Sequence, residues 1–147
     1  MNYILDTNIL LYYIRNNKTT QKIEQKLNLF DDQNTLVLSV VSIGEIRAIA
    51  KQNNWGKIKK ERLKNLLDKF LIVEIKIDTI IEKYAEIDTY SQDKLHNMPL
   101  NNSARNMGKN DLWIAATAST FNLQLLTTDN DFNHLNSTYL NLNLITV

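Results

Sequence analysis

The sequence Tyr3-Ile4-Leu5-Asp6-Thr7-Asn8 decides the fold of this chain. Its apolar run ends on a carboxylate, and two polar residues follow before a second apolar run begins at Ile9. The pattern predicts a buried β-strand, an acid at its carboxyl end, and a helix from Ile9 to Arg15 capped by Asn8 or, less well, by Thr7. Ligands of open parallel sheets bind beyond the carboxyl ends of the strands. Asp6 is therefore a candidate site residue if other acids occupy similar junctions.

Length and composition indicate a single globular domain over residues 1–147, with 44% hydrophobic and 22% charged residues. No apolar stretch approaches the roughly 20 residues of a membrane span, and the first residues lack the features of a signal peptide, so we expect a cytoplasmic protein. The chain has no cysteine and only two histidines. Disulfides and thiolate metal sites are thereby excluded, and a bound metal is expected to be held by oxygen.

Apolar runs alternate with amphipathic segments along the chain, which predicts an α/β fold. The second strand should lie beside the first, and five strands are expected in total, at residues 3–5, 35–41, 71–77, 123–129 and 142–147. Helices are predicted between them, including a hairpin of two helices that ends near residue 70. The stretch 94–109 has no clear periodicity and is predicted to be a long loop.

Positive charge is concentrated in the predicted helical hairpin. Residues 47–69 contain eight basic and two acidic residues, a net charge of +6, whereas residues 110–147 contain no lysine or arginine. The basic segment is either a solvated helical face or a flank that attracts phosphates. Trp55, at the tip of the hairpin, either packs on the hairpin or anchors a partner.

A second acid follows the second predicted strand. The sequence Ser42-Ile43-Gly44-Glu45 has the form of a capping box, in which the Glu45 carboxylate accepts a hydrogen bond from the cap amide. Alternatively, Glu45 points into the crevice at the carboxyl ends of the strands. Gly44 slightly favours the second interpretation, since glycine in a first helical turn is costly unless a ligand or another backbone approaches closely.

The remaining candidate acids lie near the end of the chain. Asp111 follows a plausible helix cap, Asn110, and lies on the otherwise buried stripe of an alanine-rich helix, where it also suits the helix dipole. Asp129 ends the fourth strand and repeats the pattern of Asp6. Asp131 is predicted to cap a short helical turn, with a supporting role at the site as the alternative.

Asp6, Glu45, Asp111 and Asp129 are distant in sequence, yet each falls at a strand end or in a first helical turn. Clustered carboxylates repel one another unless they are protonated or neutralised by a cation. Oxygen ligands without histidine or cysteine favour Mg²⁺ or Mn²⁺. Such a site suits hydrolysis of a phosphodiester bond by a metal-activated water whose proton passes to a carboxylate.

Four segments resemble, in order, the motifs of PIN-domain ribonucleases, and most closely those of VapC toxins from bacterial type II toxin-antitoxin modules. The segments are Tyr3-Ile4-Leu5-Asp6-Thr7-Asn8-Ile9-Leu10, Ser42-Ile43-Gly44-Glu45-Ile46, Asn110-Asp111-Leu112-Trp113-Ile114-Ala115-Ala116-Thr117-Ala118 and Leu126-Thr127-Thr128-Asp129-Asn130-Asp131-Phe132. The resemblance implies a three-layer α/β/α fold around a mainly parallel sheet. It further implies Mg²⁺- or Mn²⁺-dependent endoribonuclease activity, a homodimer, and inhibition by a VapB-type antitoxin.

The resemblance assigns metal binding and catalysis to four acids, Asp6, Glu45, Asp111 and Asp129. It gives supporting places to three polar side chains, Asn8, Thr127 and Asp131. Two other functions stay open on the sequence alone. One is a metal-dependent nuclease acting on DNA or on structured junctions, and the other is a PIN-like binding module that holds a cation without cleaving RNA.

Overall fold

The structure is a computed structural model that describes residues 1–15 and 18–147. Strands and helices alternate along the described chain, as the sequence predicts. The elements are β1 (Asn2–Leu5), α1 (Thr7–Arg15), α2 (Lys18–Leu27), β2 (Thr35–Ser39), α3 (Val40–Gln52), α4 (Lys57–Leu67), β3 (Leu71–Val73), α5 (Asp78–Ser91), α6 (Lys109–Thr120), β4 (Gln124–Thr127), a 3-10 helix (Asn130–Leu135) and β5 (Asn141–Leu144).

The five strands form one sheet in the order β3-β2-β1-β4-β5, and every pair of neighbours is parallel. The first strand is central, because Ile4 pairs with Val37 on one side and with Leu125 on the other. The predicted parallel sheet and the pairing of the first two strands are thus confirmed. All five carboxyl ends lie along the same edge of the sheet, where Asp6 follows β1.

Alternate side chains of the central strands bury into two separate cores. Leu5 belongs to the core shared with α1, α2, α3 and α4, whereas Ile4 belongs to the core shared with α5, α6 and the 3-10 helix. Both side chains have no exposed surface, and burying each stabilises the fold by about 1.5–3 kcal/mol. The sheet therefore lies between two helical layers, which confirms the three-layer α/β/α prediction.

Several helices begin earlier than the sequence suggested. Helix α1 begins at Thr7, so Asn8 lies within its first turn and is not its cap. Helix α3 begins at Val40 and is capped by Ser39, whose hydroxyl accepts the Val41 N–H at 3.1 Å. Of the two interpretations of Glu45 from sequence, the capping box with Ser42 is therefore wrong. The cause is that β2 ends at Ser39, which is its last paired residue, and the helix follows directly.

Two further caps also differ from the prediction. Helix α6 is capped by Gly108, so Asn110 lies inside its first turn. The 3-10 helix is capped by Asp129, whose carboxylate accepts the Asp131 N–H, so Asp131 is not the cap.

Gly44 has no atom within 4 Å of the position that a Cβ would occupy, and no other backbone in the described chain approaches it.

The third strand ends at Val73, four residues short of its predicted end. Its only neighbour, β2, ends at Ser39, the partner of Val73, so the chain beyond has no strand to pair with. Leu71 and Ile72 of this edge strand remain 62% and 44% exposed.

Within the described residues, none of the helices has both the length and the apolar character needed to cross a membrane.

Candidate functional site

Asp6 lies between β1 and α1, where hydrogen bonds hold both its backbone and its side chain. Its backbone N–H donates to the carbonyl of Leu126 on β4 at 2.9 Å. One carboxylate oxygen, Oδ1, accepts the Thr7 N–H at 2.8 Å, and the other, Oδ2, accepts the Thr127 hydroxyl at 2.7 Å. The side chain is 5% exposed. One oxygen is thus oriented by the first residue of α1, and the other by the last residue of β4.

Thr127 connects Asp6 to the next acid in the crevice. Its hydroxyl donates to Asp6 and accepts the Asp129 N–H at 3.0 Å. The Thr127 side chain is fully buried at the last residue of β4. The Asp129 carboxylate in turn accepts the Asp131 N–H at 2.9 Å. One chain of hydrogen bonds therefore sets the positions of three acids.

Glu45 reaches the same crevice from α3. Its Oε1 accepts the hydroxyl of Thr7 at 2.8 Å, and Thr7 is 4% exposed. The backbone of Thr7 bonds Asp6 while its hydroxyl bonds Glu45, so this residue joins the two acids. Of the two interpretations of Glu45 from sequence, the structure agrees with the one that directs it into the crevice.

Asp111, Asp129 and Asp131 come closest together. Each offers one carboxylate oxygen, and the three oxygens lie within 4.8 Å of one another. Asp111 and Asp129 are half-buried and Asp131 is exposed, so the group opens to solvent on one side. We call these three residues the acid triplet. Oxygen-only donors around an open position fit Mg²⁺ or Mn²⁺, which retain waters and take substrate phosphate oxygens as further ligands.

Electrostatic repulsion joins the acid triplet to the other two acids. Burial raises the pKa of Asp111 to about 7, and the charges of Asp6, Asp129, Glu45 and Asp131 add to the shift. Burial also raises the pKa of Asp6; hydrogen bonds from Thr127 and Thr7 oppose this rise, while Glu45 and Asp129 add to it. A bound cation would relieve this repulsion and favour the ionised carboxylates.

The structure distributes the predicted site residues unevenly. Asp111 and Asp129 lie in the acid triplet together with Asp131, which sequence analysis had assigned only a supporting place. Asp6 and Glu45 lie outside the acid triplet and connect to it through Thr127 and through charge. Asn8 is exposed, and its side chain makes no hydrogen bond to any described residue.

Sequence analysis missed the role of Thr7, which it considered only as a weaker helix cap. Its position directly after Asp6 was the available signal, because a residue at a strand-to-helix turn sits beside the crevice. A second missed group is the contact of Ser91 with His134. The Ser91 oxygen lies 2.8 Å from His134 Nε2, and the Ser91 carbonyl accepts the Arg105 N–H at 2.7 Å. This contact ties the end of α5 and the long loop to the 3-10 helix that carries Asp131.

Residues 3–137 match the sequence model of the family described as the PIN domain. That range includes all of β1 except Asn2, and all five acids of the crevice. A comparison with curated protein sequences gives no match.

The fold is similar to that of several solved structures, each of which aligns over nearly its whole length. A chain of the VapBC2 complex of Rickettsia felis bound to a DNA fragment from its promoter shares 23% identity at a TM-score of 0.78, covering 98% of each chain. A chain of VapBC-1 from nontypeable Haemophilus influenzae shares 23% identity at a TM-score of 0.71, again covering 98% of each chain. A third is from a member of the VapBC family of toxin-antitoxin systems in Mycobacterium tuberculosis, VapBC-5. It shares 22% identity at a TM-score of 0.61, covering 99% of this chain and 98% of that chain.

Proposed function

Because this chain belongs to the PIN-domain family, we propose that it is the VapC-type toxin of a type II toxin-antitoxin module and acts as a metal-dependent endoribonuclease. Its substrate is RNA, and the bond hydrolysed is a phosphodiester. The similar solved structures, which come from VapBC complexes, support the assignment to a toxin-antitoxin module.

The observation that carries the proposal is the meeting of five acids at one edge of the sheet. Three of their oxygens lie within 4.8 Å of one another, and the pKa of Asp111 is raised to about 7. The burial of Asp111 and the repulsion between these carboxylates destabilise a metal-free fold, and selection for a purely structural site would not favour them. Cation binding gives the arrangement a physical reason.

We assign cation binding to the acid triplet of Asp111, Asp129 and Asp131. A divalent cation, when bound, polarises the phosphodiester and activates a water. The surrounding residues orient the reacting groups. Asp6 cannot rotate away, since Thr7 and Thr127 hold its two oxygens, and it adds negative charge that favours the cation.

Glu45 is the carboxylate that we propose as the proton acceptor for the attacking water. It lies outside the acid triplet, and its Oε1 is held by Thr7 while the second oxygen has no hydrogen-bond partner among the described residues. A carboxylate held at one oxygen and unpartnered at the other is suited to general-base catalysis. Asn8, which is exposed beside this group, is proposed only to contact substrate.

The test is cleavage of a labelled RNA pool by purified protein in Mg²⁺, in Mn²⁺ and in EDTA. Asp6→Asn removes one charge at the crevice, and Asp32→Asn removes the same charge on an exposed turn remote in sequence from every acid of the site. We expect wild type and Asp32→Asn to cleave RNA with either metal, and EDTA and Asp6→Asn to abolish cleavage.

Other outcomes would favour the other two functions. Cleavage of DNA of the same sequence, with RNA left intact, would replace the endoribonuclease by a DNA or structure-specific nuclease. Binding of Mn²⁺ without cleavage of either nucleic acid would favour the binding module. If Asp6→Asn cleaved RNA as fast as wild type, the activity would not belong to this crevice.

We also propose a VapB-type antitoxin and a second copy of this chain as protein partners. Exposed aliphatic side chains support the dimer, since Leu71 and Ile72 of the edge strand and Ile77 and Ile81 at the start of α5 are 39–62% exposed. Light scattering should give a dimer for wild type and a monomer for Ile72→Glu. We further propose that residues 1–147 form one domain in each subunit. We also propose that the protein acts in the cytoplasm, where RNA substrates are found.

A further inference from the structure

Three lysines form a line along α4. Lys57, Lys60 and Lys64 occur at the helical spacing i, i+3 and i+7, which places them on one side of the helix, and all three are exposed. We call these three residues the basic ridge. At a rise of 1.5 Å per residue, the ridge extends about 10 Å along the helix axis.

The lysines of the basic ridge form no ion pair with any described residue. Glu61 and Asp68 are the only acids in residues 47–69, and neither forms an ion pair. The one side-chain ion pair among residues 1–15 and 18–147 joins Lys83 to Glu86, outside α4. The whole chain has a net charge of +1. Because residues 47–69 carry +6, the rest of the chain carries −5.

Two other lysines of residues 47–69, Lys59 and Lys69, differ from those of the basic ridge because they contact aromatic rings. The Lys59 ammonium lies 4.6 Å from the centre of the Trp55 ring, and the Lys69 ammonium lies 4.6 Å from that of Phe30. Trp55 itself is 7% exposed. It therefore packs on the hairpin, which agrees with the first of the two interpretations from sequence. These two lysines are held against the protein, whereas those of the basic ridge project into solvent.

We propose that the basic ridge binds the phosphate backbone of RNA, outside the acid crevice and without regard to sequence. The proposal rests on the proposed function, because it concerns the RNA that the crevice would cleave. Helix α4 contributes no acid to the crevice. The acids there repel the phosphates of the substrate, so a separate basic surface is the natural place for charge attraction to hold the RNA.

The composition of the ridge favours RNA over a protein partner. Lysine is depleted in the cores of protein interfaces, which are enriched in aromatic side chains. The exposed residues of α4 outside the ridge are Ile58, Glu61, Arg62 and Asn65, so one aliphatic side chain, and not an apolar stripe, accompanies the lysines. Trp55 is covered by Lys59 and offers no open ring for base stacking. Contacts to phosphates are what this surface can make.

The experiment measures RNA binding apart from cleavage. Fluorescence anisotropy of a labelled 20-nucleotide single-stranded RNA of mixed sequence is recorded in EDTA, over a series of salt concentrations. The ridge variant is K57Q/K60Q/K64Q. The matched control is K18Q/K22Q/K26Q, which removes three exposed lysines from α2 and changes the net charge equally. Circular dichroism and Tm establish that both variants are folded.

We expect the ridge variant to bind RNA more weakly, with a plot of log K against log salt whose slope is smaller by about 2, because each phosphate contact to single-stranded RNA contributes about 0.7. The control should bind as wild type does. The difference between the two variants should vanish near 1 M salt, where the charges are screened within about 3 Å.

Three results would overturn the proposal. Equal weakening in both variants would mean that net charge, and not the ridge, governs binding. Unchanged RNA binding by the ridge variant would remove the ridge from the RNA surface. Unchanged RNA binding with lost binding to a co-expressed antitoxin would assign the ridge to a protein partner. RNA cleavage by the wild-type protein in Mg²⁺ is measured in parallel. If the wild type cleaves RNA but the ridge variant binds RNA normally, only the ridge proposal fails; if the wild type does not cleave RNA, the proposed function fails.

Discussion

The acid crevice and the basic ridge are both clusters of like charge, but the fold treats them in opposite ways. Hydrogen bonds position two acids of the crevice: buried Asp6 is held by Thr7 and Thr127, and half-buried Glu45 is held by Thr7. The lysines of the ridge have no partner within the described chain and extend into water. The crevice lies at strand ends, and the ridge lies on the outer side of a helix.

The difference shows how each cluster can act. Desolvation strengthens the repulsion between acids, as the raised pKa of Asp111 indicates, so each side chain of the crevice should matter individually. Solvent screens the lysines of the ridge, so each should matter little and their sum should matter for a polyanion. The predictions that follow test this contrast between individual and collective effects.

The largest effect is expected from removing one ligand of the acid triplet. Asp129→Asn removes a charge from the triplet and alters the cap of the 3-10 helix. We expect cleavage to fall by more than about 100-fold, because the loss of residues that merely support metal ligands already costs about 10–100-fold. Single-turnover cleavage of labelled RNA measures the change. Asp32→Asn is the control, and a loss below tenfold in Asp129→Asn would exclude it as a ligand.

A smaller effect is expected from the buried hydroxyl that connects Asp6 to Asp129. Thr127→Val keeps the shape of the side chain and removes both hydrogen bonds, so Mn²⁺ affinity should fall by about 10–100-fold. Titration calorimetry measures the affinity.

The matched control for this change is Thr117→Val. Thr117 is also fully buried, but its hydroxyl donates within α6 to the carbonyl of Trp113. This variant should lose stability of about 1 kcal/mol and keep its Mn²⁺ affinity. Equal affinities in the two variants would show that Thr127 only stabilises the fold.

The pH dependence of stability should sharpen the contrast. The pKa of Asp111 rises from 3.8 to about 7 in the folded protein, so between these values the native state binds more protons than the unfolded chain. Stability of the metal-free protein should therefore fall as pH rises through this window, and Asp6 contributes with the same sign. Tm measured in EDTA from pH 4 to pH 8 gives the trend.

Two further measurements check the cause of the trend. Asp111→Asn should flatten it, and Mg²⁺ should raise Tm more at pH 7.5 than at pH 5. Tm that rises with pH in EDTA would contradict the electrostatic account of the crevice.

The smallest effect is expected on the ridge. Lys60→Gln alone should change the free energy of unfolding by less than about 0.5 kcal/mol, because the side chain is exposed and makes no ion pair. It should weaken RNA binding only slightly. Urea unfolding measures the first and anisotropy the second. A loss above 1 kcal/mol would mean that the ridge has structural contacts like those of the crevice.

The sequence was sufficient for the strands and for the acids that follow them. Apolar runs such as that before Asp6 bury on both faces of the sheet, and this signal is strong wherever a strand is central. It was insufficient for the edge of the sheet. The residues after Val73 alternate charged and apolar side chains as a strand with one buried face does, but β2 has already ended and leaves them unpaired.

The helix caps and the contacts of the polar side chains were harder to predict from the sequence. Ser42 and Ser39 are both reasonable caps by residue type, and only the end of β2 decides between them. Similarly, the contact of Thr7 with Glu45 joins residues 38 positions apart, and no local pattern encodes it. Asp131 enters the acid triplet because the 3-10 helix turns it toward Asp111, a consequence of packing between distant segments.

The order of the strands also has a consequence for the time course of synthesis. The acid triplet comes from residues 111, 129 and 131, while Asp6, which follows the central strand, is made before all three. Strand β4, the second neighbour of β1, is fourth of the five strands to leave the ribosome. Any nascent or truncated chain that stops before β4 lacks Thr127 and Asp129, so it cannot assemble the crevice. A nascent chain therefore acquires the residues of the proposed nuclease site only after β4 and the 3-10 helix have been synthesised.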